Sequence, residues 1–265
     1  MTNIPALTFA GLRYSLAFQL LLFWGFCSQQ VHSITKISRK TLTQLIMLGV
    51  LFYTLTQGAQ FLGLAYLPAV TVNLLLSFTS IVVAMLGTIL LQEHPTAWQW
   101  IGVGFSILGA VIFFYPVDLA TGEIIGYTAV VIGLFANAAS SILGWEINRR
   151  GDVSPLNITL VSMGIGGILL LIIGTALQGD PTLDCNSWLI ILRLALINTA
   201  FAFTLWNHTL KKLGALESSI INNTMIIQIP ILAVLFLGES LSVKGVVGIV
   251  VVGIGVLIVQ IARKK

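Results

Sequence analysis

The chain has 265 residues, of which 57% are hydrophobic and 8% charged, and its mean hydropathy is +1.00. A soluble domain carries about 25% charged residues. This much apolar surface therefore excludes a single water-soluble core and makes lipid the natural solvent. The net charge of +4 then reads as loop charge that orients membrane spans, not as a nucleic-acid surface.

Crossing the hydrocarbon core takes about 20 apolar residues. In chain order the sequence predicts nine such runs, at roughly Pro5–Phe26, Thr41–Leu64, Pro68–Leu91, Trp98–Tyr115, Ile124–Trp145, Pro155–Leu177, Ser187–His208, Ala215–Leu237 and Lys244–Ala262. The connections are short and carry turn signals, as in Gln92-Glu93-His94-Pro95 and Gln178-Gly179-Asp180-Pro181. The fold class expected is all-α, a polytopic membrane helical bundle.

Loop charges set the orientation. Lys36, Arg39 and Lys40 follow the first span, Arg149 and Arg150 the fifth, Lys211 and Lys212 the seventh, and Arg263, Lys264 and Lys265 the ninth. All fall on one side, which the positive-inside rule makes cytoplasmic. The carboxyl terminus is then inside and the amino terminus of this chain outside, with Asp118, Glu123, Asp180 and Asp184 external.

The chain also repeats itself at an offset of 146 residues without a gap. Glu93 lies over Glu239, Gly102 over Gly248, Gly109 over Gly255 and Leu67-Pro68-Ala69 over Leu213-Gly214-Ala215. Apolar matches carry little information in such a chain, but acidic residues are scarce and a matched pair carries much. Spans related by the offset run in opposite directions, so the repeats are inverted about an axis in the membrane plane. Residues 1–117 form the first repeat, with four spans, and 118–265 the second, with five. The expectation is that the first repeat is one helix short, through a truncated or alternative start.

Polar residues inside spans are costly and face a bundle interior or a water-filled cavity. Here they cluster: Gln57 and Gln60 on the second span; Asn73, Ser77 and Ser80 on the third; Asn137 on the fifth; Asn198 on the seventh; and Ser219, Asn222, Asn223 and Gln228 on the eighth. Such residues either hydrogen-bond between helices or line a substrate path, and both readings stay open. Their amides and hydroxyls suit a neutral or zwitterionic solute. Arg13, about eight residues into the first span, either snorkels, packs or binds an anion. Glu217, near the start of its helix, either favours the helix dipole or takes a coupling proton. The repeat-turn residues Glu93 and Glu239 cap or gate. The sequence shows no metal-spaced cluster, no cofactor motif and no phosphate-binding loop for ATP.

These residues resemble the drug/metabolite transporter superfamily of EamA type, over the whole chain. The carriers are Ile4-Pro5-Ala6-Leu7-Thr8-Phe9-Ala10-Gly11-Leu12-Arg13-Tyr14, the junction Leu62-Gly63-Leu64-Ala65-Tyr66-Leu67-Pro68-Ala69, and the paired turns Leu91-Gln92-Glu93-His94-Pro95 and Leu237-Gly238-Glu239-Ser240-Leu241. The turns are similar to that family's repeated "LGE" motif. Members have ten helices, so the chain resembles one without the first. They often carry a proline thirteen residues before each turn glutamate; here Ser80 and Ile226 stand there.

The resemblance implies transport of small organic metabolites, amino-acid-like or drug-like solutes, across the cell membrane. It leaves open a coupling proton or ion and the oligomeric state, and it points to the lipid bilayer, not nucleic acid, as partner. The rival readings are a non-transporting truncated or packing membrane protein and, with less to support it, a membrane-embedded enzyme. An enzyme would need an acid/base or metal constellation that the sequence does not supply.

Overall fold

The computed structural model describes residues 4–27, 37–91, 96–115, 122–181, 183–203, 205 and 224–262. Within them the chain is built from helices and contains no strand. They are α1 (Ala6–Cys27), α2 (Arg39–Tyr66), α3 (Ala69–Ser77), α4 (Thr79–Leu91), α5 (Ala97–Phe114), α6 (Glu123–Arg150), α7 (Pro155–Gln178), α8 (Cys185–Phe201), α9 (Met225–Leu237) and α10 (Val243–Ile261). Six of these, α1, α2, α5, α6, α7 and α10, are long and apolar enough to cross a membrane. The shorter apolar stretches Ala69–Val83, Cys185–Phe201 and Met225–Leu237 fall on the third, seventh and eighth runs, so all nine predicted spans have a helical counterpart.

Helix starts follow from short polar side chains. Ser38 accepts from Thr41 N–H, Thr96 from Gln99 N–H, Asp184 from Ser187 N–H and Ser242 from Gly245 N–H. Each thereby satisfies one of the donors that a helix leaves unpaired at its first turn. Ser38 and Asp184 are repeat partners, and so are Thr96 and Ser242. The repeat is thus kept to the residue at the caps. A wide π-helical stretch also recurs, at Gly49–Gln57 in α2 and Leu194–Phe201 in α8. In each, a threonine hydroxyl donates five residues back: Thr56 to Leu51 O and Thr199 to Leu194 O.

The chain divides into two compact units, each drawing on both halves of the sequence: residues 1–62 with 139–212, and 63–138 with 213–265. In the first unit α1 packs along α7. A Cβ placed on Gly11 would meet the Leu171 backbone at 2.4 Å, and one on Gly174 the Thr8 nitrogen at 2.6 Å. Phe18 lies against Gly164, its own partner under the offset. Around this seam Tyr14, Tyr53, Met163 and Leu170 are buried. Tyr14, Phe52, Tyr53 and Phe203 form edge-on and tilted ring contacts.

In the second unit α5 packs antiparallel to α10 through four glycines. A Cβ on Gly102 would lie 2.6 Å from Gly255 O, and one on Gly109 2.7 Å from Gly248 O. Gly255 is the partner of Gly109, and Gly248 of Gly102. The two contacts therefore exchange under the 146-residue offset. Small residues let the backbones approach this closely. Val252, Val256 and Val259 fill the flanks of the seam. Outward, Val131, Ile132 and Phe135 on α6 are exposed, as a lipid-facing surface requires.

Candidate functional site

In the second unit the helix that follows Pro68 is broken partway along. α3 ends at Ser77 and α4 begins at Thr79. Between them Phe78 N–H bonds to Leu75 O at 3.2 Å and Ile81 N–H to Phe78 O at 3.0 Å, both spanning three residues where a helix spans four. The cause is local. The Ser77 hydroxyl donates to Leu74 O at 2.6 Å, occupying the carbonyl that Phe78 N–H would otherwise use. At the partner position Ile227 N–H likewise bonds three residues back to Thr224 O at 3.1 Å, and Gln228 N–H bonds to the same carbonyl at 3.0 Å. Phe78 and Thr224 are one offset apart, as are Ile81 and Ile227. The structure thus adds a break to the third span, which the sequence reads as continuous.

Polar side chains gather around Phe78 and Thr224. The Asn73 amide donates to the Met225 carbonyl at 3.1 Å, linking α3 to the first residue of α9. The Gln228 amide donates to Thr224 Oγ1 at 3.3 Å. From α10, the Gln260 amide donates to Ser80 Oγ at 3.4 Å; Gln260 is buried, and its Oε1 and the buried Thr79 hydroxyl have no hydrogen-bond partner. Among the described residues this seam holds amides, hydroxyls and carbonyls and no charged side chain. It can recognise a polar solute by hydrogen bonds, with donors and acceptors both on offer.

Glu239 anchors one end of α3. Its carboxylate accepts from Ala69 N–H at 2.7 Å and Val70 N–H at 3.2 Å, meeting the unpaired donors and the positive end of the helix dipole. Gly238 makes this reach feasible. It ends α9 at φ +68°, in the left-handed region, and its N–H and that of Glu239 both turn back to Ala233 O.

The first unit holds Arg13. Its Nε donates to Thr199 Oγ1 at 2.7 Å and one Nη to Asn198 O at 3.4 Å, both in the π-helical stretch of α8. The guanidinium also lies over the Tyr14 and Phe61 rings, at 5.6 and 5.8 Å.

Of the sequence-predicted residues, Asn73 and Gln228 thus bond to Met225 and Thr224 at the start of α9, and Ser77 and Ser80 flank the Phe78 break. Asn137 is half-buried in the same unit, and Gln57 and Gln60 are half-buried on α2 in the other. The Asn198 side chain is exposed; its carbonyl meets Arg13. Glu93, Glu217, Ser219, Asn222 and Asn223 lie outside the described residues. Sequence reasoning missed Thr199, Thr224 and Gln260. Gln260 carried a signal, as a lone amide in the apolar run of the last span.

Six helices long and apolar enough to cross a membrane, with a further apolar helix broken where polar groups collect, define a multi-pass membrane protein of the transporter class. The chain belongs to the EamA-like transporter family, whose model matches residues 1–115 and 124–261. It is 25% identical over 229 residues to a Bacillus subtilis (strain 168) protein named uncharacterized transporter YyaM, covering 83% of this chain and 73% of that protein. To an uncharacterized transporter of Archaeoglobus fulgidus it is 24% identical over 273 residues, covering 99% and 90%. The fold is shared with a chain of known crystal structure at TM-score 0.68 and 16% identity, covering 99% of this chain and 90% of that one.

Proposed function

We propose that this membrane transporter moves small polar organic metabolites, amino-acid-like or drug-like, across the cell membrane by alternating access. The observation that carries the reading is the helix break at Phe78, with Asn73 of the broken helix bonded to the Met225 carbonyl and polar side chains gathered around it. Discontinuous helices expose main-chain groups to a solute where regular helices would hide them. The neutral lining favours a solute that needs hydrogen bonds more than a counter-charge.

On this reading residues 1–117 and 118–265 are the two inverted repeats, and Asn73, Ser77, Ser80, Thr224 and Gln228 form part of the substrate path. Arg13 stiffens the contact between α1 and α8. The loop charges support a cytoplasmic carboxyl terminus. Coupling is to a proton, an ion or an exchanged solute.

Counterflow in proteoliposomes tests the proposal. Vesicles preloaded with an unlabelled panel of amino acids, amines and neutral drugs are diluted into trace labelled solute. The proposal expects transient accumulation with at least one solute, reduced at least tenfold in N73A. No counterflow from folded protein across the panel would overturn it.

A further inference from the structure

One end of the first unit carries cations that, among the described residues, have few anionic partners. Arg39 and Lys40 open α2 and are exposed. Arg149 and Arg150 close α6 and are exposed too. The two segments are held side by side. Arg150 donates to Gln44 of α2 at 3.0 Å, and Leu45 and Leu48 of α2 pack with Leu143 and Ile147 of α6. Among the described residues Arg150 alone has an anionic partner, Glu146, which leaves Arg39, Lys40 and Arg149 without an ion pair.

The arrangement costs the protein something. No acid stands in the first turn of α2, so Arg39 and Lys40 face the positive end of their own helix dipole. An anion held there would relieve both repulsions. Beneath the charges the surface turns apolar. On α2, Leu42, Ile46 and Met47 are 40%, 39% and 51% exposed, within the two turns that follow Arg39 and Lys40 on the helix. On α6, Trp145 is 46% exposed, and Arg149 lies over its ring at 5.0 Å. Tryptophan in this setting sits at the headgroup level of a bilayer.

We propose that this end of the first unit is a docking surface for the headgroup of an anionic phospholipid. Arg39, Lys40 and Arg149 meet the phosphate, Trp145 lies against the glycerol region, and Leu42, Ile46 and Met47 lie along the acyl chains. A soluble anion would use the cations alone; the apolar face directly below them fits a molecule with a charged head and a hydrocarbon tail. Lipid occupancy here would tie the start of α2 to the end of α6.

The test uses the full chain in neutral detergent, with the thermal unfolding midpoint followed while dioleoyl-phosphatidylglycerol or dioleoyl-phosphatidylcholine is titrated in. Phosphatidylglycerol should raise the midpoint saturably and phosphatidylcholine should not. Each cation near an anionic headgroup is worth about fivefold in affinity, so R39Q/K40Q/R149Q should raise the half-saturating concentration by about a hundredfold. R149Q alone, the fallback if the triple variant fails to fold, should raise it about fivefold. Equal shifts with both lipids would overturn the proposal. So would unchanged half-saturation in the variants, or full protection by soluble glycerol 3-phosphate.

Discussion

The side-chain amide of Asn73 donates to the main-chain carbonyl of Met225 at 3.1 Å. Asn73 stands four positions before α3 ends at Ser77, and Met225 is the first residue of α9. A membrane hydrogen bond between helices contributes about 0.6 kcal/mol on average. Replacing Asn73 by Ala should therefore cost little stability, with a thermal midpoint within a few degrees of the parent. Exchange in proteoliposomes should fall at least tenfold, because the amide and the carbonyl it orders lie in the proposed path. A normal exchange rate in N73A would remove Asn73 from that path.

The glycine seam of the second unit predicts a contrast within one helix. On α5, a Cβ at Gly102 would meet Gly255 O at 2.6 Å, whereas one at Gly104 has nothing within 4 Å. Gly102→Val overpacks a backbone contact and should cost about 1–3 kcal/mol. Gly104→Val, facing outward, should leave the unfolding midpoint unchanged or raised, since it removes a flexible residue from a helix. Similar midpoints for the two variants would mean that the close approach of α5 and α10 is not what holds them.

Much of this was legible before any coordinates, and the limits are physical. Long apolar runs and charged loops mark spans, because the bilayer permits few alternatives. The offset of Glu93 and Glu239 located the repeat. The caps Ser38/Asp184 and Thr96/Ser242 share the same offset, but a lone Ser or Thr is common in loops and marks a cap only once the helix start is known. The break at Phe78 was hidden because its cause is a serine hydroxyl choosing Leu74 O, a choice that a Ser-containing apolar run does not announce. Arg13 was visible as a costly charge. Its partner was not, since Thr199 is small, ordinary in a membrane helix and 186 residues away.

Arg13 and Thr199 should couple. The guanidinium donates Nε to the Thr199 hydroxyl at 2.7 Å and stacks near two rings, a geometry that lysine cannot reproduce. In a double-mutant cycle, R13K and T199V should each destabilise, and the double variant should fall short of their sum by about 1 kcal/mol. Strict additivity in chemical or thermal unfolding would show that the pair contributes nothing jointly.

Asp184 gives a pH dependence whose sign is fixed. It caps α8, and hydrogen bonds first from the Ser187 side chain and then from its backbone hold the carboxyl below its ordinary value. A depressed carboxyl stabilises the fold above the unfolded range near pH 4. That contribution is lost as pH falls through the lower native value. Asn caps a helix about as well and does not titrate there. D184N should therefore match the parent when acidified and lag it at neutral pH, as read from unfolding midpoints across pH 3–7. A constant gap at all pH values would dissociate the cap from the charge.

Glu239 offers the sharpest separation of charge from shape. Both carboxylate oxygens serve the first turn of α3, on Ala69 and Val70 N–H, and Gly238 sets the reach by its positive φ. E239Q keeps one acceptor and loses the charge that faces the helix dipole, at a cost of about 0.5–1 kcal/mol. E239A loses both acceptors and should cost about twice that. Gly238→Ala keeps the glutamate but strains the left-handed turn, so it should destabilise as much as E239Q without touching the carboxylate. If Glu239 only caps, transport should fall in step with the unfolding midpoint across these three variants. If it also gates, E239Q should lose exchange out of proportion to its stability while Gly238→Ala does not. Rates and midpoints measured on the same preparations decide between the two.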